Sequence, residues 1–340
     1  AAAWAAVRAW VDDPAAAERA GLVAAGLVAV CPPCVAWSRE ARPYSWAVLA
    51  LLLLLWAAAE ARRGRGGRAV HARFASELDE LVADITRRAA SETTTPWVVA
   101  AVGGYGRRTL CLHSDLDLLI AFDGTIGESE ERFLKAVLQP LWDLKLTVGH
   151  HVRELADFDV IDEGNPEYLM ALCDIRLLTG DVRLFDDVCT RIHRGDAARA
   201  ERLVEVLLPL IDERYAEFNN TVYQLEPDVK KAPGGLRDVS AVRLLRTLAP
   251  EAFAARPRNE GERLDEAEEF LFRVRSILHA DAGRDTNTLT HELQEKVAEM
   301  MAAPGADPRQ QVEALMTDYF RHARGVVQAL AWTTPRACRK

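Results

Sequence analysis

A chain of 340 residues, 49% hydrophobic and 27% charged, exceeds one average domain and belongs to the globular class rather than the disordered or fibrous ones. Its formal charge of −9 argues against general nucleic-acid binding, which leaves a basic stripe, so any phosphate it handles needs local cations. The six cysteines form no framework: Cys31-Pro-Pro-Cys34 has no second pair to complete a zinc site, and a reduced, cytoplasmic compartment is expected. The start at Ala-Ala-Ala rather than Met is what a fragment would show.

Residues 1–68 form an apolar N-terminal segment. Fourteen apolar residues, Trp46–Ala59, precede Arg62, Arg63, Arg65 and Arg68. Spanning a bilayer takes roughly 20 apolar residues, which favours a buried or interfacial helix, yet arginines after an apolar run are also a cytoplasmic membrane flank. Membrane association through 1–59 is therefore left open. A helix apolar on all sides must be buried in protein or lipid.

Residues 69–200 mix helices and strands. Ala69–Ala90 has helical spacing in Val70, Phe74, Leu78, Leu81, Val82 and Ile85. Trp97–Val102 predicts a buried strand entering a turn at Gly103-Gly104, and Leu116–Phe122 a second strand. Glu128–Leu144 predicts a helix and Lys145–Val152 a third strand. Residues 201–340 read as helical, with helices expected at Arg199–Phe218, Leu236–Leu248, Glu262–Ala282, His291–Ala302 and Gln310–Ala331.

The chemistry concentrates in Gly103-Gly104-Tyr105-Gly106-Arg107-Arg108 and the following Ser114-Asp115-Leu116-Asp117. Side chains at i and i+2 of a strand share a face, roughly 6.5–7 Å apart. Two such carboxylates repel each other and lose hydration unless cations are bound, so Asp115 and Asp117 suit a pair of Mg²⁺ ions. Leu116, Leu118 and Ile120 would anchor the other face, and Gly103 and Gly104 would let backbone N–H groups approach phosphate oxygens.

The run AVGGYGRRTLCLHSDLDLLI resembles the nucleotidyltransferase motif of the bacterial PII uridylyltransferases, which share the DNA polymerase beta superfold. The likeness continues in LWDLKLTVGHHVRE, DIRLLTGDVRLFDDV, YQLEPDVKKAPGGLRDVSAVRLL, FLFRVRSILHADAGRDTNTLTHELQEKVAEMM and DYFRHAR, covering roughly 69–330. It implies an α+β fold: a polymerase beta-like nucleotidyltransferase domain followed by an all-helical domain. It also implies transfer of UMP from UTP to a tyrosine of the PII nitrogen-signalling protein by a two-metal mechanism, with pyrophosphate released. Gly103 and Gly104 would cradle the triphosphate, Asp115 and Asp117 would bind Mg²⁺ and act catalytically, and Ser114 falls on the family's serine. Arg107, Lys230 and Arg237 are the further candidates for nucleotide contacts; Arg108 is a weaker one, because the family more often has Gly-Glu where Arg108-Thr109 stands.

The same resemblance makes Glu226, Asp228, Lys230, Gly234, Gly235, Arg237 and Asp238 a wall of the nucleotide cleft, with a capped loop between helices as the alternative. The expected third metal-binding acid is missing from Lys145–Val152; Glu154 is the nearest acid, and His150 reads as a core histidine. Full-length members continue with an HD phosphohydrolase domain and two ACT domains. This sequence contains no His-Asp dipeptide, so no uridylyl-removing activity is expected of it. The apolar N-terminal segment has no counterpart in the family, and its deletion is expected to be tolerated. Two other readings stay open: a same-fold adenylyltransferase or other nucleotidyltransferase with a different acceptor, and a non-catalytic nucleotide-binding regulatory module.

Overall fold

The computed structural model describes residues 42–159, 166–193, 196–248, 260–302 and 307–333. Cys31, Cys34 and Cys338, and the first 41 residues of the N-terminal segment, lie outside the described residues.

The chain folds as a mixed α+β structure around a small sheet. Strand β1 (Trp97–Ala101) and strand β2 (Leu116–Phe122) pair antiparallel, Ala101 opposite Leu118. Strand β3 (Val148–Glu154) pairs parallel to β2, and β4 (Arg176–Gly180) pairs antiparallel to β1 on the far side, giving the order β3-β2-β1-β4. The third strand starts three residues later than its apolar pattern predicts, because Lys145 adopts a positive φ of 61° and closes the preceding turn. The edge strand β4 was not expected; only five residues long, it has too short an alternation to stand out.

Alternation sorts the sheet's two faces. Val99, Ala101, Leu116, Leu118, Ile120 and Phe122 point into a core with helices α1 (Arg42–Arg62), α2 (Arg68–Ala89) and α3 (Glu128–Asp143). Val98, Ala100, Val102, Leu119 and Ala121 face α4 (Pro166–Leu172) and α5 (Val182–His193). The remaining helices are α6 (Asp196–Glu217), α7 (Leu236–Leu248), α8 (Glu260–Ala282), α9 (His291–Met301) and α10 (Pro308–Thr333), with a core of their own in which α8 and α10 take a central place.

The apolar run Trp46–Ala59 lies within α1, which packs against α8 and α2. Leu53, Trp56, Ala57 and Ala61 are buried there. The arginine-rich connection after it is stitched down by polar contacts: Arg273 Nε donates to the Gly64 carbonyl (2.6 Å), Ser276 Oγ to the Gly66 carbonyl (2.6 Å), and the Arg68 amide to Glu269 (2.8 Å). No helix among the described residues is long and apolar enough to cross a membrane. The membrane association left open by the sequence gains no support, and Leu53, Trp56, Ala57 and Ala61 are covered by protein while Leu55 is exposed.

Buried polar groups join the sheet region to the helices. His71 Nε2 lies 2.7 Å from Ser276 Oγ and 3.4 Å from Cys111 Sγ. Burial, with the Arg275 charge adding to it, lowers the His71 pKa to about 3, so this contact is made by a neutral imidazole.

Candidate active site

β1 delivers the chain into a one-turn helix, Gly103–Gly106, and β2 returns beside it. The turn is held from both ends. The Val102 amide donates to the Asp117 carbonyl (3.0 Å), while Arg176 donates to the Gly106 and Tyr105 carbonyls (3.0 and 3.1 Å) and pairs with Asp79 through two hydrogen bonds. Gly103 takes a positive φ of 56°, which favours glycine, and a Cβ there would sit 3.5 Å from Asp117 Oδ2. Gly106 is needed for a different reason: a Cβ would stand 1.9 Å from the Asp174 carbonyl oxygen.

Asp115 is exposed just before β2 and Asp117 half-buried within it, close enough for the charge of one to act on the other. Opposite Asp117 in the parallel register stands Gly149, where a Cβ would lie only 2.8 Å from Asp117 Oδ1. Glycines therefore flank both oxygens of one carboxylate. Burial first, and the Asp115 charge second, raise the Asp117 pKa to about 6; Lys230 and Arg107 offset part of that shift. A carboxylate ionised at such cost gains most from a cation. The pair thus fits Mg²⁺ by charge, although no group of three or more His, Cys, Asp or Glu side chains that could hold a metal occurs among the described residues.

The expected third acid does not arrive. Glu154 is paired with Phe122, five residues along the strand from the Asp117–Gly149 pair and so roughly 16 Å away, and it accepts from the Ile126 amide at 2.9 Å. His150 is no core residue: it is exposed, 6.0 Å from the Trp142 ring, and alternation sets it on the opposite face from Gly149. Ser114 is half-buried and its amide closes a turn on the Cys111 carbonyl (3.1 Å).

The candidate cations have different surroundings. Lys230 is brought from the helical region into electrostatic reach of both Asp115 and Asp117. Arg237 is exposed and lies 3.7 Å from Glu167 on α4. Arg107 influences Asp117 but forms an ion pair with Asp174. Arg108, at a positive φ of 60°, turns toward α2, 3.3 Å from Ser76 Oγ and 3.6 Å from Asp79.

Much of the 226–238 loop builds the wall rather than lining it. Asp238 is fully buried and accepts from Arg214, from Tyr215 Oη (2.5 Å) and from the Gly234 amide (2.7 Å). Glu226 accepts from the His291 amide (2.9 Å) at the start of α9, and Asp228 Oδ1 accepts from the Lys230 and Lys231 amides (2.8 and 2.7 Å). Gly234 has a φ of 84° and packs on α10, where a Cβ would meet the Ala323 carbonyl oxygen at 2.4 Å. Sequence reasoning missed Gly149, although it lies in the LWDLKLTVGHHVRE run, because its role exists only once β3 pairs in register.

The family profile described as GlnD PII-uridylyltransferase matches residues 202–333. A bifunctional uridylyltransferase/uridylyl-removing enzyme from Methylococcus capsulatus is 33% identical over 259 residues, 73% of this chain and 29% of that protein. Its namesakes from Vibrio atlanticus and Cereibacter sphaeroides are each 35% identical, over 68% and 67% of this chain and 27% and 26% of theirs. The chain thus spans less than a third of the length of these relatives.

Proposed function

Since this chain belongs to the PII-uridylyltransferase family, of whose members it spans a part, we propose that it is a nucleotidyltransferase that moves UMP from UTP to a tyrosine of a PII-type signalling protein. The sheet and its Gly103–Gly106 turn would then be the catalytic half of a polymerase beta-like fold. In the reaction, the tyrosine oxygen forms a bond to the α-phosphorus, the α–β bridging P–O bond breaks, pyrophosphate leaves, and the hydroxyl proton passes to solvent. The observation that carries the reading is the Asp115–Asp117 pair, beside a glycine turn and within reach of Lys230.

Asp115 and Asp117 would hold Mg²⁺, which when bound supplies charge stabilisation to the phosphate oxygens. Gly103 and Gly104 leave the backbone N–H groups at the start of the turn open to a phosphate. Lys230 supplies a positive charge on the side facing the helices. Arg237 would need to leave Glu167, and Arg107 to share or leave Asp174, before either took full charge of a phosphate. Ser114, next to the two aspartates, would be a further nucleotide contact.

The test is incubation of the chain with a PII protein and each labelled nucleoside triphosphate in Mg²⁺. Label transferred from UTP, and lost in Asp115→Asn, is the expected result. Transfer from ATP would shift the reading to an adenylyltransferase, and nucleotide binding without transfer to any acceptor would leave a regulatory module.

A further inference from the structure

Lys230 lies within electrostatic reach of the two aspartates, and its nearest counter-charge lies outside the motif. The segment after α8 runs antiparallel to the Lys230 loop: the Val229 amide donates to the Asn287 carbonyl (2.8 Å), the Leu289 amide to the Pro227 carbonyl (2.9 Å), and Asp228 bridges to Thr288. Backbone pairing therefore fixes Asp285 beside the lysine.

The carboxylate of Asp285 is divided between two tasks. Its Oδ1 faces Arg275 (3.2 Å), His279 Nε2 (3.0 Å) and Asn287 Nδ2 (2.9 Å), and Asn287 Oδ1 in turn accepts from Arg275 Nε (2.7 Å). Its Oδ2 lies 3.9 Å from the Lys230 ammonium. Arg275 from α8 and Asn287 from its following loop both donate to one oxygen, and the other is turned to Lys230. His279 is fully buried and reaches the Leu112 carbonyl with its other ring nitrogen, two residues before Ser114.

A lysine side chain is a flexible four-carbon stem, and a fixed counter-charge beside it favours one direction over the others. The surroundings sharpen the need, because Arg275 and Arg237 both repel the Lys230 ammonium, while Asp285 and Asp115 attract it.

We propose that Asp285 is a positioning residue that holds the Lys230 ammonium over the Asp115–Asp117 site, and thereby sets the affinity for the triphosphate. The proposal rests on the reading of Lys230 as a phosphate contact. It acts through Lys230, so its signature is a loss of effect when Lys230 is absent.

The experiment is a double-mutant cycle on the full chain, Asp285→Asn, Lys230→Ala and the pair. It follows UTP binding by calorimetry, KM and kcat for transfer, and the thermal midpoint. Asp285→Asn is expected to weaken UTP binding and raise KM about tenfold in the parent, consistent with one charge-assisted contact, and less than about twofold in Lys230→Ala. Equal losses in both backgrounds would overturn the positioning role and leave the transferase reading standing. A parent chain that neither binds UTP nor transfers overturns both. Should Asp285→Asn unfold below the assay temperature, Asp285→Glu runs the same cycle under the same criterion.

Discussion

Gly149 stands opposite Asp117 across the parallel β2–β3 pair, and a methyl group on it would press to within 2.8 Å of Asp117 Oδ1. The absent side chain is what allows the carboxylate to occupy its position at the strand entrance. Substitution by alanine should therefore displace the carboxylate while leaving an ordinary strand residue behind. Gly149→Ala is expected to lower kcat for nucleotidyl transfer roughly 100-fold, the scale of a misplacement of about 1 Å in a catalytic group. The thermal midpoint should change little. Full activity in this variant would show that Asp117 has room to work elsewhere.

Asp117 should cost the folded protein stability when no cation is bound. Its pKa of about 6 lies above the usual 3.8, so the native state holds the proton more tightly than the unfolded chain does. Stability then falls as pH rises from 3.8 to 6, and the full penalty persists above 6. Solvent screening of a half-exposed group limits it to about 1–2 kcal/mol. Asp117→Asn should be more stable than the parent by that amount in urea at pH 7.5 with chelator, and equal to it near pH 3.5. The same variant, like Asp115→Asn, should lose transfer by about 10³-fold or more. An unchanged urea midpoint at pH 7.5 would contradict the electrostatic account.

Asp238 tests the structural role of the glycine-rich loop. Replacing it with alanine leaves Arg214 without its buried partner and the Gly234 amide without its acceptor. The cost should be about 3–5 kcal/mol, typical of breaking a buried ion pair on one side. Denaturant unfolding checks this; a loss below 1 kcal/mol would mean that water replaces the carboxylate without strain.

For α1 the structure reverses the expectation that its removal is tolerated. Deleting residues 1–66 would uncover the surface of α8 and α2 on which Leu53, Trp56, Ala57 and Ala61 are buried, and remove the Gly64 and Gly66 carbonyls that Arg273 and Ser276 bind. The truncated chain should aggregate on expression, and Trp56→Ala in the full chain should cost about 3 kcal/mol. A soluble, monodisperse and active truncation would show that α1 is dispensable to the catalytic fold.

The sequence by itself determined the local pieces. Short apolar runs located β1 and β2, strand geometry placed Leu118 and Ile120 on the face opposite Asp117, and the glycine pair after β1 marked the turn that Gly103 makes with positive φ. Period-3.6 patterns located α2, α3 and the helices after residue 196, because element type and buried face are both written in the spacing of apolar residues. Tertiary structure alone decided the rest. The register of β3 turned a plain Gly149 into the neighbour of Asp117 and carried Glu154 out of reach. Folding also separated candidate cations that composition could not rank, leaving Lys230 beside Asp285 and within electrostatic reach of the two aspartates, Arg107 against Asp174, and Arg108 turned to Asp79. The apolar α1 had two physical solutions, lipid or protein, and its amino acids did not choose between them; in the fold its Leu53, Trp56, Ala57 and Ala61 are buried against protein. Such outcomes depend on groups far apart in the chain, whose charges and volumes meet only when the elements pack, and no local periodicity encodes them.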